Sequence, residues 1–264
     1  MSLFRRCLSG FAAAALLAAP SVVAPEAEAG LRNGWPEVFF DNFNNINANV
    51  WGVDNRRDFG NPNSGWFHPS NVLSVRGGNG KMLQIWNKWE PRTNRYEGGY
   101  ISTKRFRIID GGDLEAKLRL SGRAYNRRNN IWPSWWTFST AGGGDRQEAD
   151  IMEKFGRDNY STSWHLSDGS FKNPDTRKNT NHFYSDRWLT QFRRYGCLLK
   201  PGGNGEVVFH RDNGAIRQTG NGVWKKKPMK LIFSSTPHRD RLLKVQMPAL
   251  WVDWVRVRYQ RGGR

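Results

Sequence analysis

Cysteine is nearly absent from this sequence, which has two in 264 residues. Cys7 lies in an N-terminal segment that we expect to be removed, so Cys197 would remain alone. A lone cysteine cannot form an internal disulfide, and the chain must therefore fold by burial of side chains. No cluster of His and Cys has the spacing of zinc ligands either. These absences exclude disulfide-stapled scaffolds and cysteine-based zinc sites.

Long apolar runs are also absent. The main one, Phe11–Ala19, is too short to span a membrane, and no later stretch approaches the roughly 18 residues that a span requires. Arg5 and Arg6 precede this run, and Ala27–Ala29 has the small residues of a signal-peptidase site. Residues 1–29 are thus predicted to be a secretory signal. We expect an extracellular or periplasmic protein with no membrane anchor.

Acid is scarce as well, with 23 Asp and Glu against 41 Lys and Arg, a formal net charge of +18. The predicted signal contains two Arg and two Glu, so residues 30–264 keep that charge. Such a surface attracts polyanions, of which acidic polysaccharide and nucleic acid are the candidates. No recognition helix, zinc spacing or RNP-type strand favours nucleic acid. Acidic polysaccharide ranks first, and adaptation of the charge to the medium or cell wall is the alternative.

Sustained helical periodicity is missing too, and short alternating segments take its place. Leu118 and Leu120 alternate with Lys117 and Arg119, as expected for a half-buried strand. Comparable segments are Val38–Phe43, Val72–Val75, Met82–Trp86, Leu114–Leu120, Leu189–Tyr195, Glu206–His210, Met229–Ser234 and Leu250–Tyr259. This pattern predicts an all-β fold, a two-sheet antiparallel jelly-roll sandwich, as one domain over residues 30–264.

Against this scarcity of acid, three carboxylates stand within six residues. On a strand, Glu148 and Asp150 share one face, and a β-bulge would return Glu153 to that face while Ala149 and Ile151 enter the core. Adjacent like charges raise one another's pKa. Retaining glycoside hydrolysis uses such a pair, an ionised nucleophile and a protonated acid about 5–5.5 Å apart. A solvated acidic strand is the alternative explanation.

The pattern Glu-x-Asp-x-x-Glu resembles the bulged active-site strand of glycoside hydrolase family 16, the form of laminarinases, agarases, porphyranases and carrageenases. The resemblance implies that Glu148 is the nucleophile, that Asp150 assists it and that Glu153 is the acid/base. It also implies a concanavalin A-like sandwich with a concave substrate cleft. Further segments between Trp35 and Tyr259 resemble family motifs: Gly99–Lys104, Gly112–Lys117, Trp132–Trp136, His182–Tyr184 with Trp188, Lys227–Ile232 and Trp251–Val257.

Aromatic residues are abundant, with thirteen tryptophans, most of which we expect to pack in the core. Trp135 and Trp136 are adjacent on a predicted strand, so one faces inward and the other faces the cleft. The family pattern implies that Trp136 binds sugar. Trp66 is placed at the cleft rim by the same resemblance.

Two basic residues are further candidates for substrate binding. Arg146 shares the face of Glu148 if the strand begins that early, and it could then pair with a sulfate or carboxylate of the substrate. The alternative is a loop residue that balances local acid. His165 matches a position where related galactanases place a histidine against substrate, and a hydrogen-bonded histidine on a concave strand is its alternative.

A retaining mechanism requires no cofactor. Many relatives carry a structural calcium on the convex face, which implies Asp253 and Asp41 here, although calcium takes six to eight oxygens. The sequence thus predicts a secreted, monomeric, retaining endo-β-glycosidase of the agarase, porphyranase and carrageenase type, with no nucleic-acid or membrane partner. An endo-β-1,3-glucanase is the runner-up. A non-catalytic lectin-like module is the rival from another class, and the presence of all three carboxylates argues against it.

Overall fold

The computed structural model describes residues 35–55, 65–78, 80–104, 112–122, 131–139, 146–154, 159–167, 182–185, 189–200, 206–212, 214–218, 228–237 and 246–259. The predicted signal at residues 1–29 lies outside them, as do Trp188 and Lys227 of the motifs. Within these ranges the chain forms sixteen strands and a 3₁₀ turn at Pro69–Asn71. The same ranges contain no helix that is both long and apolar enough to cross a membrane.

In chain order the strands are β1 (Glu37–Asp41), β2 (Trp51–Val53), β3 (Gly65–Phe67), β4 (Val72–Gly77), β5 (Gly80–Glu90), β6 (Arg95–Thr103), β7 (Gly112–Leu120), β8 (Ile131–Ser139), β9 (Arg146–Glu153), β10 (Asn159–Ser167), β11 (His182–Ser185), β12 (Arg193–Leu199), β13 (Val207–Arg211), β14 (Gly214–Gln218), β15 (Met229–Pro237) and β16 (Met247–Tyr259).

These strands form two layers. The cleft sheet has the order β11-β10-β9-β8-β15-β6-β2, and the outer sheet has the order β14-β13-β12-β7-β16-β5-β4, with β1 also paired to β16. β5 and β6 pair with each other and join the two layers. Every pair among the described strands is antiparallel except β3 with β6, which is parallel. The predicted antiparallel jelly-roll sandwich is confirmed.

The hydrophobic core lies between the two sheets. The inward residues of β7 follow the predicted alternation, and Leu114, Ala116, Leu118 and Leu120 are all fully buried. From the cleft sheet, the ring of Trp135 stacks on Phe233 with centroids 4.4 Å apart and planes 13° from parallel. Burial of this apolar surface is the main force that holds the sheets together.

The predicted strand Leu189–Tyr195 has the wrong bounds. The structure places a turn at Leu189, whose carbonyl accepts a hydrogen bond from the backbone N–H of Leu120 at 2.7 Å. The strand itself is Arg193–Leu199. This strand pairs with β7, and the side chain of its Cys197 is fully buried in the core, so the strand begins and ends four residues later than predicted.

Candidate active site

A β-bulge lies in the acidic strand β9. Across β8, Trp135 pairs with Met152 and Trp136 pairs with Asp150, so Ile151 is the extra residue. A bulge places two residues opposite one and reverses the alternation beyond it. The bulge predicted from the sequence is therefore confirmed.

The bulge separates apolar and acidic side chains completely. Ala149, Ile151 and Met152 all belong to the core cluster and are at most 1% exposed. The acidic residues of β9 point away from the core, so their three side chains share the opposite face of the cleft sheet. This face carries the candidate active site.

Asp150 is the central acid of this group and is only 1% exposed. A hydrogen bond of 2.8 Å joins its Oδ2 to Nε2 of His165, which lies on β10 directly opposite Glu148. One carboxylate oxygen from Glu148, one from Asp150 and a ring nitrogen of His165 lie within 4.8 Å of one another. The histidine therefore hydrogen-bonds to the acidic cluster, which agrees with its alternative reading as a hydrogen-bonded histidine on a concave strand, and contact with substrate stays a prediction.

Glu153 lies at the other end of the cluster and is 6% exposed. Its Oε1 accepts hydrogen bonds from Nε1 of Trp132 at 2.8 Å and from the hydroxyl of Ser134 at 3.3 Å. Burial, and then the charges of Asp150 and Glu148, raise the pKa of Glu153 well above its usual value, although the Trp132 bond opposes them. Glu153 therefore holds its proton at pH values where an ordinary glutamate has lost it.

Aromatic side chains lie beside the acids on the same face. Trp136 is half-buried, directly opposite Asp150, and donates from Nε1 to the hydroxyl of Ser234 at 3.0 Å. Its ring meets Tyr100 edge to face at 6.2 Å. The cleft aromatic patch consists of Phe67, Tyr100, Trp136, Phe138 and Ile232. The prediction that Trp135 and Trp136 face opposite sides is confirmed. Binding of sugar by Trp136 stays a prediction.

Trp66 lies outside this patch. It alternates with Phe67 on β3, so the two side chains point to opposite faces, and Phe67 is the one that packs on Tyr100 at 5.0 Å. The guanidinium of Arg95 instead lies over the ring of Trp66, with its carbon 5.6 Å from the ring centroid. Substrate binding by Trp66 stays a prediction. Sequence reasoning missed Phe67 and Tyr100, although Tyr100 stands within a quoted family segment.

Arg146 is the first residue of β9, two before Glu148, so the strand begins as early as its proposed role requires. Its side chain lies outside the described part of the chain. Pairing with an acidic substrate group stays a prediction.

The contacts of Asp253 and Asp41 bear on the implied calcium. Asp253 forms a 2.8 Å ion pair with Lys117. Asp41 accepts from the backbone N–H of Phe43 and from Nε1 of Trp51, each at 2.7 Å. Both carboxylates thus serve donors of the chain, and an ammonium group repels a cation. This arrangement does not fit a calcium held by the pair.

Comparison with protein-family sequence models gives no match, and neither does comparison with curated protein sequences. Solved structures do match. A family 16 glycoside hydrolase from the mixed-linkage glucan locus of Bacteroides ovatus, in complex with product, is 17% identical with a TM-score of 0.68, over 83% of this chain and 99% of that one.

β-Agarase A of Zobellia galactanivorans is 18% identical with a TM-score of 0.63, over 84% and 91% of the two chains. An immunostimulatory antigen and pseudo β-1,3-glucanase of Mycobacterium tuberculosis is 19% identical with a TM-score of 0.67, over 85% and 99%. The chain therefore has the fold of glycoside hydrolase family 16, as its motifs suggested.

Proposed function

We propose that this protein is an exported, retaining endo-β-glycosidase that cleaves a polysaccharide. The observation that carries the proposal is the bulge of β9, which gathers Glu148, Asp150 and Glu153 on one face with Glu153 buried and its pKa raised. A buried carboxyl group that keeps its proton, beside other carboxyl groups, is what acid/base chemistry at one site requires. The shared fold with glucanases and an agarase supports the same function.

The proposed reaction has two steps. In the first, Glu153 donates its proton to the glycosidic oxygen while a carboxylate oxygen of Glu148 bonds to the anomeric carbon, and the leaving sugar departs as an alcohol. In the second, the ionised Glu153 takes a proton from water as that water attacks the anomeric carbon, and the bond to Glu148 breaks. Each carboxyl group thereby returns to its starting state.

Asp150 and His165 have positioning roles in this proposal. The 2.8 Å bond between them fixes the Asp150 carboxylate between the two glutamates. From there its negative charge keeps the proton on Glu153, which is the direction of its effect on the pKa of that group.

For substrate, we propose a galactan of the agar or carrageenan type, with or without sulfate groups, ahead of a β-1,3-glucan. The resemblance of Trp251–Val257 to the agarase and porphyranase ending supports this choice, as does the net charge of +18. Release of reducing ends from agarose, porphyran, carrageenans and laminarin tests it. Cleavage of laminarin alone would place the glucanase first.

Hydrolysis should retain the anomeric configuration, because a double displacement at one carbon inverts it twice. Proton NMR of a digest in its first minutes should show the β-anomer of the new reducing end before mutarotation. Initial appearance of the α-anomer would contradict the role assigned to Glu148.

The non-catalytic module is the second candidate, and the pseudo β-1,3-glucanase with the same fold is the observation that favours it. A module of this kind needs only the cleft aromatic patch. Tight binding of an oligosaccharide with no hydrolysis by the wild-type protein would support it over the enzyme.

Cleavage of a sulfated galactan should fall steeply with ionic strength if the basic surface holds the substrate. The Debye length shrinks from about 10 Å at 0.1 M salt to about 3 Å at 1 M, which screens contacts between exposed charges. Arg146→Ala should lower kcat/KM on the sulfated galactan about tenfold and leave neutral agarose nearly unchanged, because it removes one charge-assisted contact. Kinetics at low and high salt measure both effects.

Arg76→Ala is the matched control, since it removes the same charge from an exposed position on β4. Equal salt dependence on neutral and sulfated substrates would assign the charge to solubility or wall adhesion.

A further inference from the structure

The two oxygens of the Glu153 carboxyl group have different surroundings. Oε1 accepts from Nε1 of Trp132 at 2.8 Å and from the hydroxyl of Ser134 at 3.3 Å. Among the described residues, Oε2 accepts no hydrogen bond. Ser134 lies directly opposite Glu153 in the pairing of β8 with β9, and Trp132 lies two residues earlier on the same face. The register of these two strands therefore holds both donors beside one carboxyl group.

This asymmetry bears on the proton of Glu153. An indole N–H, such as that of Trp132, donates a hydrogen bond and never accepts one. A protonated carboxyl group has one hydroxyl oxygen, which donates, and one carbonyl oxygen, which accepts through two lone pairs. Because two donors converge on Oε1, the observed bonds suit a carbonyl oxygen at Oε1 and a hydroxyl oxygen at Oε2.

The same bonds also favour the ionised form of Glu153. Hydrogen bonds to a charged oxygen are shorter and stronger than those to a neutral oxygen. Burial, and then the charges of Asp150 and Glu148, raise the pKa of Glu153, whereas the Trp132 bond and, less strongly, the charge of His165 lower it. The indole therefore favours release of a proton that burial alone would retain.

We propose that Trp132, together with Ser134, is a positioning residue that gives the two oxygens of Glu153 different roles: Oε1 is held, and Oε2 carries the proton. The inference rests on the proposed function for the reaction that uses this proton. In the first step the O–H bond at Oε2 breaks, the proton passes to the glycosidic oxygen, and the bonding electron pair stays on the carboxylate. The two donors stabilise that new charge. In the second step Oε2 takes a proton from the attacking water.

Infrared spectroscopy tests the position of the proton without turnover. A difference spectrum between acidic and alkaline pH should contain the C=O stretch of protonated Glu153, identified by its absence from Glu153→Gln. Trp132→Phe keeps an aromatic ring but removes the N–H. The stretch should then move to higher frequency, because a carbonyl group that loses a donor has a stiffer C=O bond. Ser134→Ala should cause a smaller shift in the same direction, since its hydrogen bond is longer.

The chain offers a matched control for each variant. Ser161 lies directly opposite Glu153 on β10 and is fully buried, and its hydroxyl has no hydrogen-bond partner among the described residues. Trp86 donates from Nε1 to Gln84 at 2.7 Å on β5, in the outer sheet. Ser161→Ala and Trp86→Phe should both leave the stretch and the pH profile unchanged. An unchanged stretch in Trp132→Phe would overturn the proposal.

Kinetics distinguish positioning of the acid from a structural role. Trp132→Phe should lower kcat on polysaccharide about tenfold or more, as loss of a hydrogen bond to a charged group does, while KM changes less than about twofold. The alkaline limb of the pH profile should move to higher pH, because a contact that lowers the pKa of Glu153 is lost. Pre-steady-state release of an acidic phenol should stay within about twofold of wild type, since that leaving group needs no proton.

Equal losses of Trp132→Phe on polysaccharide and aryl glycoside would assign the indole to the fold, and a rise in KM alone would assign it to sugar binding. Either result would overturn the proposal. Thermal melting shows whether each variant folds, and Ser134→Ala carries the test if Trp132→Phe does not. Absence of hydrolysis by the wild type, with the expected infrared shift, would overturn the proposed function alone. Full hydrolysis with an unchanged stretch would overturn this inference alone.

Discussion

Glu148→Gln should lower kcat by about three orders of magnitude or more, which corresponds to about 4 kcal/mol of lost transition-state stabilisation. The amide oxygen cannot form the glycosyl-enzyme bond, so the first step has no nucleophile. Glu153→Gln should be as damaging on polysaccharide, because the leaving alcohol then departs without a proton. Initial rates of reducing-end release measure both.

The two variants should differ on an aryl glycoside with an acidic phenol. Such a leaving group needs no proton, so Glu153→Gln should release a burst of phenol and then stall at the glycosyl-enzyme, which mass spectrometry of the intact protein detects. Glu148→Gln should show neither burst nor adduct. An adduct on Glu148→Gln, or equal behaviour of the two variants, would contradict the assigned roles.

The raised pKa of Glu153 also has a consequence for stability. Its pKa is raised in the folded state, so folding favours the protonated form. Stability is therefore lost as pH rises from the ordinary glutamate pKa toward the folded value. An amide side chain does not ionise in this range, so Glu153→Gln should raise the Tm relative to wild type at neutral pH. The same variant should leave the Tm little changed at acidic pH. Thermal melting at the two pH values measures both effects, and it also shows whether the inactive variant is still folded.

The sequence was sufficient for those parts of the site that depend on one strand. Alternation places Trp135 and Trp136 on opposite faces, and one inserted residue brings Glu153 back beside Asp150. Alternation follows from the backbone of one strand, and the bulge adds one residue opposite β8. The structure therefore follows them in both β8 and β9.

Features that depend on distant pairing could not be predicted in the same way. Phe67 reaches Tyr100 because β3 pairs in parallel with β6, and Gly65 permits the approach: with φ of 131°, an added Cβ would lie 1.8 Å from the carbonyl oxygen of Tyr96. A three-residue strand has no periodicity from which to infer its face. The resemblance therefore places Trp66 at the cleft rim, whereas in the structure Phe67 joins the cleft aromatic patch.

The predicted bounds of β12 are wrong for a related reason. Leu189 and Tyr195 are both buried, so both fit an apolar pattern. Only the pairing with β7 decides that the first belongs to a turn and the second to the strand.

Asp150→Asn should lower kcat at least about tenfold while KM changes less than about twofold, because the charge that it removes acts on the reacting groups and not on substrate binding. Asn has nearly the same shape, so the fold should survive. Loss of the Asp150 charge also removes one cause of the raised pKa of Glu153, and the alkaline limb of the pH profile should therefore move to lower pH.

His165→Gln is the companion variant for Asp150→Asn, since it removes the ring that holds Asp150 at 2.8 Å but leaves the carboxylate charge in place. It should lower kcat less than Asp150→Asn does. The attraction of His165 for the ionised Glu153 opposes the raised pKa, so loss of the ring should move the alkaline limb upward, opposite to the shift expected for Asp150→Asn.

If Asp150→Asn left kcat within about twofold of wild type, a difference of only about 0.4 kcal/mol, the central carboxylate would have no assisting role. Opposite shifts of the alkaline limb in the two variants would instead tie both residues to the proton on Glu153, a result that a merely structural contact between β9 and β10 would not produce.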